Sequence, residues 1–279
     1  MAVTDIYHIT GDLRDAKHAI AFLGGNVDDY VQVDAAAVAR VVANDTTGTF
    51  TAWVMPRDKT STMTVIGLGD KDVVEFIEVN IEAGLLTCRL TDSTVVQFVS
   101  QADGDVIRPH RWTHIAVVQD AGDLGVRMYI NGELIDSTND TATDITCWID
   151  ETDGIDSMRI GAANKAGNDS VTQEFVGGIS DVKWFSKALT AQEVKQDYKG
   201  RPLKDDSTYL VNHWDWDDDL IDSGLGADNG TIVGDLILSH GYCEFESKFR
   251  DAGFVVADYP VMSVDSMTGN GHVIAIKAA

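Results

Sequence analysis

Cysteine and proline are both scarce, with three cysteines and four prolines among 279 residues. Cys88, Cys147 and Cys243 are an odd number without close spacing, which argues against a complete disulfide framework and against a zinc site. We therefore expect buried free thiols. The chain needs no covalent staples, because 44% of its residues are hydrophobic and its length suits one large β domain or two smaller ones.

Positive charge is also scarce. The chain has 21 lysines and arginines against 45 aspartates and glutamates, so its formal net charge at pH 7 is −24. A surface this negative repels phosphate backbones and anionic lipids, so we expect neither nucleic acid nor a membrane as a partner. It favours divalent cations, basic protein surfaces or neutral ligands such as sugars. Solubility or adaptation to salt is the simpler explanation of this charge.

Long apolar runs are absent. No 18 consecutive residues are apolar, so the sequence predicts no membrane-spanning helix. The first residues, MAVTDIYHITGDLRD, lack the basic start and the apolar centre of a secretion signal. We therefore expect synthesis in the cytoplasm without export through a signal peptide.

Short apolar or alternating stretches, separated by turn residues, fill most of the chain. Examples are TFTAWVM, MTVIGLG, VVEFIEVNIE and THIAVVQD. In Val126–Ile130, apolar side chains alternate with Arg127 and Tyr129, as they do in a strand with one face in a core. Many such stretches at near-regular spacing predict an all-β sandwich or barrel.

Three successive antiparallel strands are predicted after Trp112. Asn131-Gly132 provides the positive φ angles of a two-residue type I′ turn, which joins the second of these strands to the third. The strands are expected at Thr113–Val118, Gly125–Ile130 and Glu133–Ser137.

Only two stretches favour a helix. Asp34 precedes AAAVARVVA and is expected to cap it. Thr190 and Glu193 form the spacing of a capping box, which predicts a second helix ending near Gly200. Two short helices among about a dozen strands define an all-β protein.

Three stretches, in this order, resemble the laminin G-like members of the concanavalin A-like lectin/glucanase superfamily. They lie within Ala19–Tyr198 and read FLGGNVDDYVQVD with FTAWVMP, RWTHIAVVQD with VRMYINGELI, and RIGAAN with FVGGISDVKWFSKALTAQEV. The resemblance implies an all-β fold in which two antiparallel sheets form a curved jelly-roll sandwich, accompanied by the two short helices.

One strand pair of that family is displaced in this sequence. The pair usually precedes the DDYV strand, but the similar stretch LVNHWDWDDDLIDSGLGADNGTIVGD lies at Leu210–Asp235. We expect a laminin G-like sandwich over residues 1–204, a strand pair over 205–250 that completes it after an acidic loop, and a C-terminal extension over 251–279. The start of a second, truncated domain is the alternative.

The stretch EVNIE places Glu78, Asn80 and Glu82 on one face of a predicted strand. It resembles the Glu-x-Asp-x-Glu signature of glucanases, in which one glutamate is the nucleophile and the other the general acid. The central aspartate is Asn80 here, and no aromatic-rich sequence surrounds the motif. We expect a polar strand face without catalytic residues; a glucanase-type hydrolase using Glu78 and Glu82 is the alternative.

Acidic density is the only signal for a metal. Several members of the fold bind calcium at a loop rim through carboxylates and carbonyls, and the spacing of the acidic residues here does not follow the EF-hand pattern. Bound Ca²⁺ is therefore a hypothesis, with a solvated acidic loop as the simpler alternative. The residues assigned to it are Asp28, Asp29, Asp215, Asp217 and Asp219.

Six tryptophans are candidates for flat sugar platforms. Trp53, Trp112 and Trp184 fall at core-strand positions of the family, so we expect them inside the sandwich. The loop TCWIDETDG is less constrained, and the glycan-binding residues assigned to it are Trp148, Asp150 and Asp153.

These observations predict a non-enzymatic structural or adhesion protein on the surface of a virion, as a decoration or tail component that binds glycan. Release of particles by lysis brings a protein without a signal peptide outside the cell. The expected partners are other structural proteins of the assembly, further copies of the chain, and cell-surface glycan. The alternatives are a free-standing, calcium-assisted lectin and the glucanase-type hydrolase.

Overall fold

The structure is a computed structural model, and it describes residues 19–22, 28–104, 107–122, 125–152, 154–204, 206–216, 219–239, 255–257 and 275–277. Within these residues two large antiparallel sheets account for most of the chain. The prediction of an all-β sandwich of two antiparallel sheets is therefore confirmed. No helix in the described part of the chain is long and apolar enough to cross a membrane.

The first sheet has eight strands. They are β1 (Ala19–Phe22), β3 (Gly48–Pro56), β8 (Thr113–Gln119), β9 (Arg127–Ile130), β10 (Glu133–Ile135), β13 (Gly177–Phe185), β14 (Leu210–Trp214) and β16 (Ile237–Ser239). Their order in the sheet is β10-β9-β8-β3-β13-β1-β16, and β14 also pairs with β13.

The second sheet also has eight strands, and they are β2 (Tyr30–Gln32), β4 (Met63–Gly69), β5 (Phe76–Glu82), β6 (Leu85–Asp92), β7 (Val95–Ala102), β11 (Ser137–Ala142), β12 (Ser157–Ile160) and β15 (Thr231–Val233). Their order in the sheet is β11-β7-β6-β5-β4-β12-β2-β15. Two further strands form a separate pair, β17 (Val255–Ala257) with β18 (Ala275–Lys277).

The three strands predicted after Trp112 are confirmed as β8, β9 and β10, each antiparallel to the next. Asn131 and Gly132 have φ angles of 53° and 75°, as a type I′ turn requires. The turn between β5 and β6 has the same character, because Ala83 and Gly84 also have positive φ. Its two-residue length fixes the register, which places Glu78 opposite Arg89.

The core lies between the two sheets and follows from alternation along each strand. In β5, Ile77, Val79 and Ile81 are buried in the core cluster, so Glu78 and Glu82 lie on the opposite face. Cys88 and Cys147 are free and buried, as expected, whereas Cys243 lies outside the described residues. Burying each large apolar side chain contributes about 1.5–3 kcal/mol.

Two helices pack on this sandwich, α1 (Asp34–Ala43) and α2 (Ala191–Tyr198), and a single turn, α3 (Asp206–Tyr209), precedes β14. The capping box of α2 is confirmed, with Thr190 and Glu193 each satisfying the other's backbone N–H. The prediction that Asp34 caps α1 is wrong. Asp34 is the first helical residue, and its Oδ1 accepts instead from the backbone N–H of Met158.

The chain after Lys204 takes part in both sheets. β14 pairs with β13 and β16 pairs with β1, while β15 pairs with β2 in the other sheet. The strands β14, β15 and β16 are thus part of the two sheets. The boundaries expected at residues 204 and 250 stay a prediction, and residues 240–250 lie outside the described residues.

Candidate functional site

The outer face of the second sheet, which points away from the core, carries a band of polar side chains. Alternation along β5 and β6 brings these side chains to one face because Ile77, Val79 and Cys88 occupy the other. The band consists of Glu78, Asn80 and Glu82 on β5, Thr87, Arg89 and Thr91 on β6, and Gln101 on β7.

Residues 161–173, which we call the cover segment, lie across one half of this face. The backbone of the cover segment approaches β4 so closely that a Cβ at Gly67 would lie 2.5 Å from the carbonyl oxygen of Ala162. Arg159 on β12 secures the segment, because its Nη1 donates to the carbonyl of Ser170 at 2.9 Å and its Nη2 to Asp169 at 2.6 Å. The face is therefore roofed over β4. Asn80 and Thr87 are fully buried, whereas Glu82, Arg89 and Gln101 reach solvent in part.

A group of charged side chains lies where Lys165 of the cover segment approaches β5. Arg89 donates to Glu78 across 2.8 Å and lies 3.5 Å from Glu82, while Lys165 of the cover segment lies 3.8 Å from the second oxygen of Glu78. A retaining glycosidase needs its two carboxyl groups about 5–5.5 Å apart with a sugar between them. Here a guanidinium bridges the two glutamates, which favours a paired, binding surface over an acid and a nucleophile.

Asn80 is the least satisfied residue of the face. Its side chain is fully buried, and neither its Oδ1 nor its Nδ2 has a hydrogen-bond partner within the described residues. The same holds for Oγ1 of Thr91 and for Oγ1 of Thr172 in the cover segment. Buried polar groups are nearly always paired, so these atoms are the least satisfied of the face.

The structure places the residues assigned to glycan binding in a different position from the polar band. Trp148 is fully buried, and its ring centroid lies 5.5 Å from that of Phe50 in the core. A ring without an exposed face cannot serve as a sugar platform in this arrangement. Asp150 is half-buried, with a pKa raised by burial, and Asp153 lies outside the described residues.

The aspartates assigned to calcium have separate structural roles. Asp29 accepts from the backbone N–H of Asp235, and Asp219 accepts from that of Ile221. Asp28 is exposed, Asp215 is half-buried, and Asp217 lies outside the described residues. Asp222, a further aspartate of this acidic loop, is buried. It accepts from the side chain of Asn212 and from the backbone N–H groups of His213, Gly224 and Asp228.

One other group of side chains has metal-ligand spacing within the described ranges. The ligand atoms of Asp144, Cys147 and Glu151 lie within 4.8 Å of one another. Burial, followed by the charges of Asp144 and Glu151, raises the pKa of the Cys147 thiol to about 12. Calcium takes oxygen ligands, so a protonated thiol at the centre of the group does not fit it. The calcium hypothesis is not supported by this group.

One group of three side chains is arranged like the nucleophile, the base and the orienting acid of a hydrolase. The three residues are Ser223, His213 and Asp181. The hydroxyl of Ser223 lies 3.0 Å from Nδ1 of His213, whose Nε2 lies 2.7 Å from Asp181. An acyl-transfer site also needs free N–H donors for an oxyanion. The backbone N–H groups of residues 223–226 are all bonded within the protein, so the three side chains form a structural hydrogen-bond network.

All six tryptophans are buried, which corrects the expectation that some are free to contact sugar. Sequence reasoning also missed Arg89, Lys165 and Gln101, the charged and amide side chains that surround the glutamates. The two-residue turn Ala83-Gly84 would have revealed Arg89, because it sets Glu78 and Arg89 opposite each other.

Residues 23–195 match a laminin G family described as the concanavalin A-like lectin/glucanases superfamily, and the chain belongs to this family. No curated protein sequence matches the chain.

Solved structures share the fold. The CBM40 module of the Ruminococcus gnavus IT-sialidase, bound to α2,3-sialyllactose, is 17% identical with a TM-score of 0.53, covering 66% of this chain and 99% of the module. The heptameric SAP-like pentraxin of Limulus polyphemus is 12% identical with a TM-score of 0.54, covering 82% and 97%. The leech intramolecular trans-sialidase is 18% identical with a TM-score of 0.51, covering 69% and 30%. At these identities the likeness shows the fold alone.

Proposed function

We propose that this chain is a non-enzymatic glycan-binding module whose ligand lies on the outer face of the second sheet, beside the cover segment. The observation that carries the proposal is a group of partly exposed polar side chains, Arg89, Gln101 and Lys165, around the buried and unpaired carboxamide of Asn80. A sugar hydroxyl both donates and accepts, so it complements a carboxamide such as that of Gln101 and the charged donors beside it.

The neighbours of Asn80 extend the same chemistry toward solvent. Gln101 is half-buried, and its Nε2 donates to Oγ1 of Thr87 at 3.1 Å. Arg89 and Lys165 keep about a quarter of their side-chain surface exposed. Recognition is therefore through hydrogen bonds and charge, because every tryptophan is buried.

The relatives support this proposal through what they bind. The CBM40 module is a carbohydrate-binding module of a sialidase and holds sialyllactose. Its fold, and that of the pentraxin, is the fold of this chain. The glucanase-type alternative has less support, since Arg89 bridges Glu78 and Glu82.

A glycan array run in calcium and again in chelator tests the function. Gln101→Ala and Lys165→Ala should each weaken binding of the array hits about five- to tenfold, because each removes a contact worth about 1 kcal/mol. Gln192→Ala and Lys199→Ala remove the same side chains at exposed positions of α2 and its end, and should leave binding unchanged. An array that stays blank for the unmodified chain would refute the proposal.

The location on a virion surface, the docking on other structural proteins and the role of calcium stay predictions. The high negative charge suits an exterior, exposed protein. Co-purification of the chain with intact particles, but not with particles stripped of their decoration proteins, is the result that this location predicts.

A further inference from the structure

A cavity that shares no residue with the outer face of the second sheet lies where the loop after β7 meets the turn between β9 and β10. Its volume is about 510 Å³. Small-molecule sites typically measure about 300–1,000 Å³. The loop contributes Arg108 and Arg111 to its lining, and the turn contributes Ile130, Asn131 and Glu133.

The cavity is locally basic in a strongly acidic protein. Arg108 is exposed and Arg111 is half-buried, and neither guanidinium forms an ion pair with any residue that the structure describes. Two arginines without an ion-pair partner in the described part of the chain are poorly explained as a solubility feature of a protein with charge −24.

The opposite wall supplies neutral polar groups in fixed positions. Asn131 is held by its own backbone, which donates to the carbonyl of His114 at 2.8 Å, and by its Oδ1, which accepts from the N–H of His114 at 3.1 Å. The Nδ2 donor of Asn131 is left for the cavity. Glu133 is paired with Lys195 of α2, so its carboxylate does not neutralise the arginines.

We propose that this cavity binds a ligand of monosaccharide size that carries one carboxylate group. The planar guanidinium fork of each arginine matches a carboxylate with two parallel hydrogen bonds. Asn131 and the free lone pairs of Glu133 suit the hydroxyls of a sugar ring. A dianionic phosphate is less favoured, since the net charge of the chain repels a second negative charge. The inference stands without the proposed function, because the two sites use different residues.

Calorimetric titration of the full chain with D-glucuronate, methyl glucoside and glucose 6-phosphate tests the inference. Glucuronate should bind at least tenfold more tightly than the glucoside, and the paired change Arg108→Gln with Arg111→Gln should weaken it at least tenfold. The matched control is Arg127→Gln, which removes a surface arginine that is paired with Asp120. This control should bind glucuronate as the unmodified chain does.

Three results would overturn the inference. They are equal affinity for glucuronate and the glucoside, tighter binding of glucose 6-phosphate than of glucuronate, and unchanged affinity in the arginine double variant. Asn80→Val, which alters only the outer face, should keep glucuronate binding. Loss of glucuronate binding in Asn80→Val, with retention in the arginine double variant, would place the anion on the outer face and would also contradict the inference. A glycan array without hits would contradict the proposed function but not this inference, because the titration tests a different site.

Discussion

Arg89 lies directly opposite Glu78 across the β5–β6 hairpin, with its Nη1 2.8 Å from the Oε1 of that glutamate. The carboxylate is almost fully buried, whereas the arginine keeps a quarter of its side chain in solvent. The pair thus fixes a charge within the polar band and leaves the guanidinium partly exposed.

Replacing Arg89 should destabilise the fold, because Glu78 would lose its main partner while it remains buried. Arg89→Met should lower the free energy of unfolding by about 2 kcal/mol, less than for a fully buried pair since Arg89 is partly solvated and Lys165 remains nearby. Urea denaturation measures the change. Arg127→Met is the control, since its partner Asp120 is equally exposed and the loss should stay below about 1 kcal/mol. Equal losses in both variants would contradict this view of Glu78.

The cover segment should depend on the absence of a side chain at Gly67. Gly67→Ala would place a Cβ 2.5 Å from the carbonyl oxygen of Ala162 and 2.9 Å from the Cα of Ala163. The segment has to shift, so we expect a loss of about 1–3 kcal/mol and faster hydrogen exchange over residues 161–173. Gly122→Ala meets only the flexible end of Asp120 and should do neither. Unchanged exchange in Gly67→Ala would show that the segment does not rest on β4.

Acid should weaken the contact between α2 and the first sheet. Burial alone would raise the pKa of Asp197, but the charge of Lys183, 2.9 Å away, and the hydrogen bond from His114 hold that pKa well below its usual range. A carboxyl group with a lowered folded pKa contributes stability above its unfolded pKa of about 3.9, and this contribution is lost as the pH falls below it.

Asp197→Asn should therefore cost about 3 kcal/mol at pH 7 and progressively less as the pH falls below about 4. Urea denaturation of both proteins at pH 7, 4 and 3 measures the difference. Asp136→Asn, at an exposed position between β10 and β11, should show no such pH dependence. A cost for Asp197→Asn that is the same at pH 3 as at pH 7 would argue against the ion pair with Lys183.

The thiol of Cys147 should be unreactive in the folded chain. Its pKa of about 12 leaves almost no thiolate at pH 8, and the residue is buried. Iodoacetamide at pH 8, followed by peptide mapping, should label Cys147 only after denaturation, and Cys88 should behave alike because burial raises its pKa as well. Rapid labelling of Cys147 before unfolding would show that its loop opens.

Much of the fold follows from local sequence patterns. Alternation predicted the strands, Asn131-Gly132 predicted the β9–β10 turn, and the Thr190–Glu193 spacing predicted the start of α2. These signals are local, since each depends on neighbours within a few residues. The polar face of Glu78, Asn80 and Glu82 was predicted for the same reason.

The remaining parts of the site depend on contacts between distant segments. Gly67 and Ala162 are far apart in sequence, and nothing local to either shows that the cover segment crosses β4. Trp148 was assigned to a glycan site because its loop has no clear pattern. It is buried because Gly48 makes room for its ring, with the position of a Cβ there only 2.6 Å from Nε1 of Trp148.

The most direct test of the central claim compares the paired change Gln101→Ala with Lys165→Ala to the unmodified chain in two measurements, calorimetric titration with the strongest array hit and urea denaturation. Both side chains are partly exposed, so the fold should lose no more than about 1 kcal/mol. Binding of the glycan should fall at least tenfold, because two polar side chains that reach solvent on this face are gone. A variant that binds the glycan as tightly as the unmodified chain would contradict the claim that the ligand lies on the outer face of the second sheet.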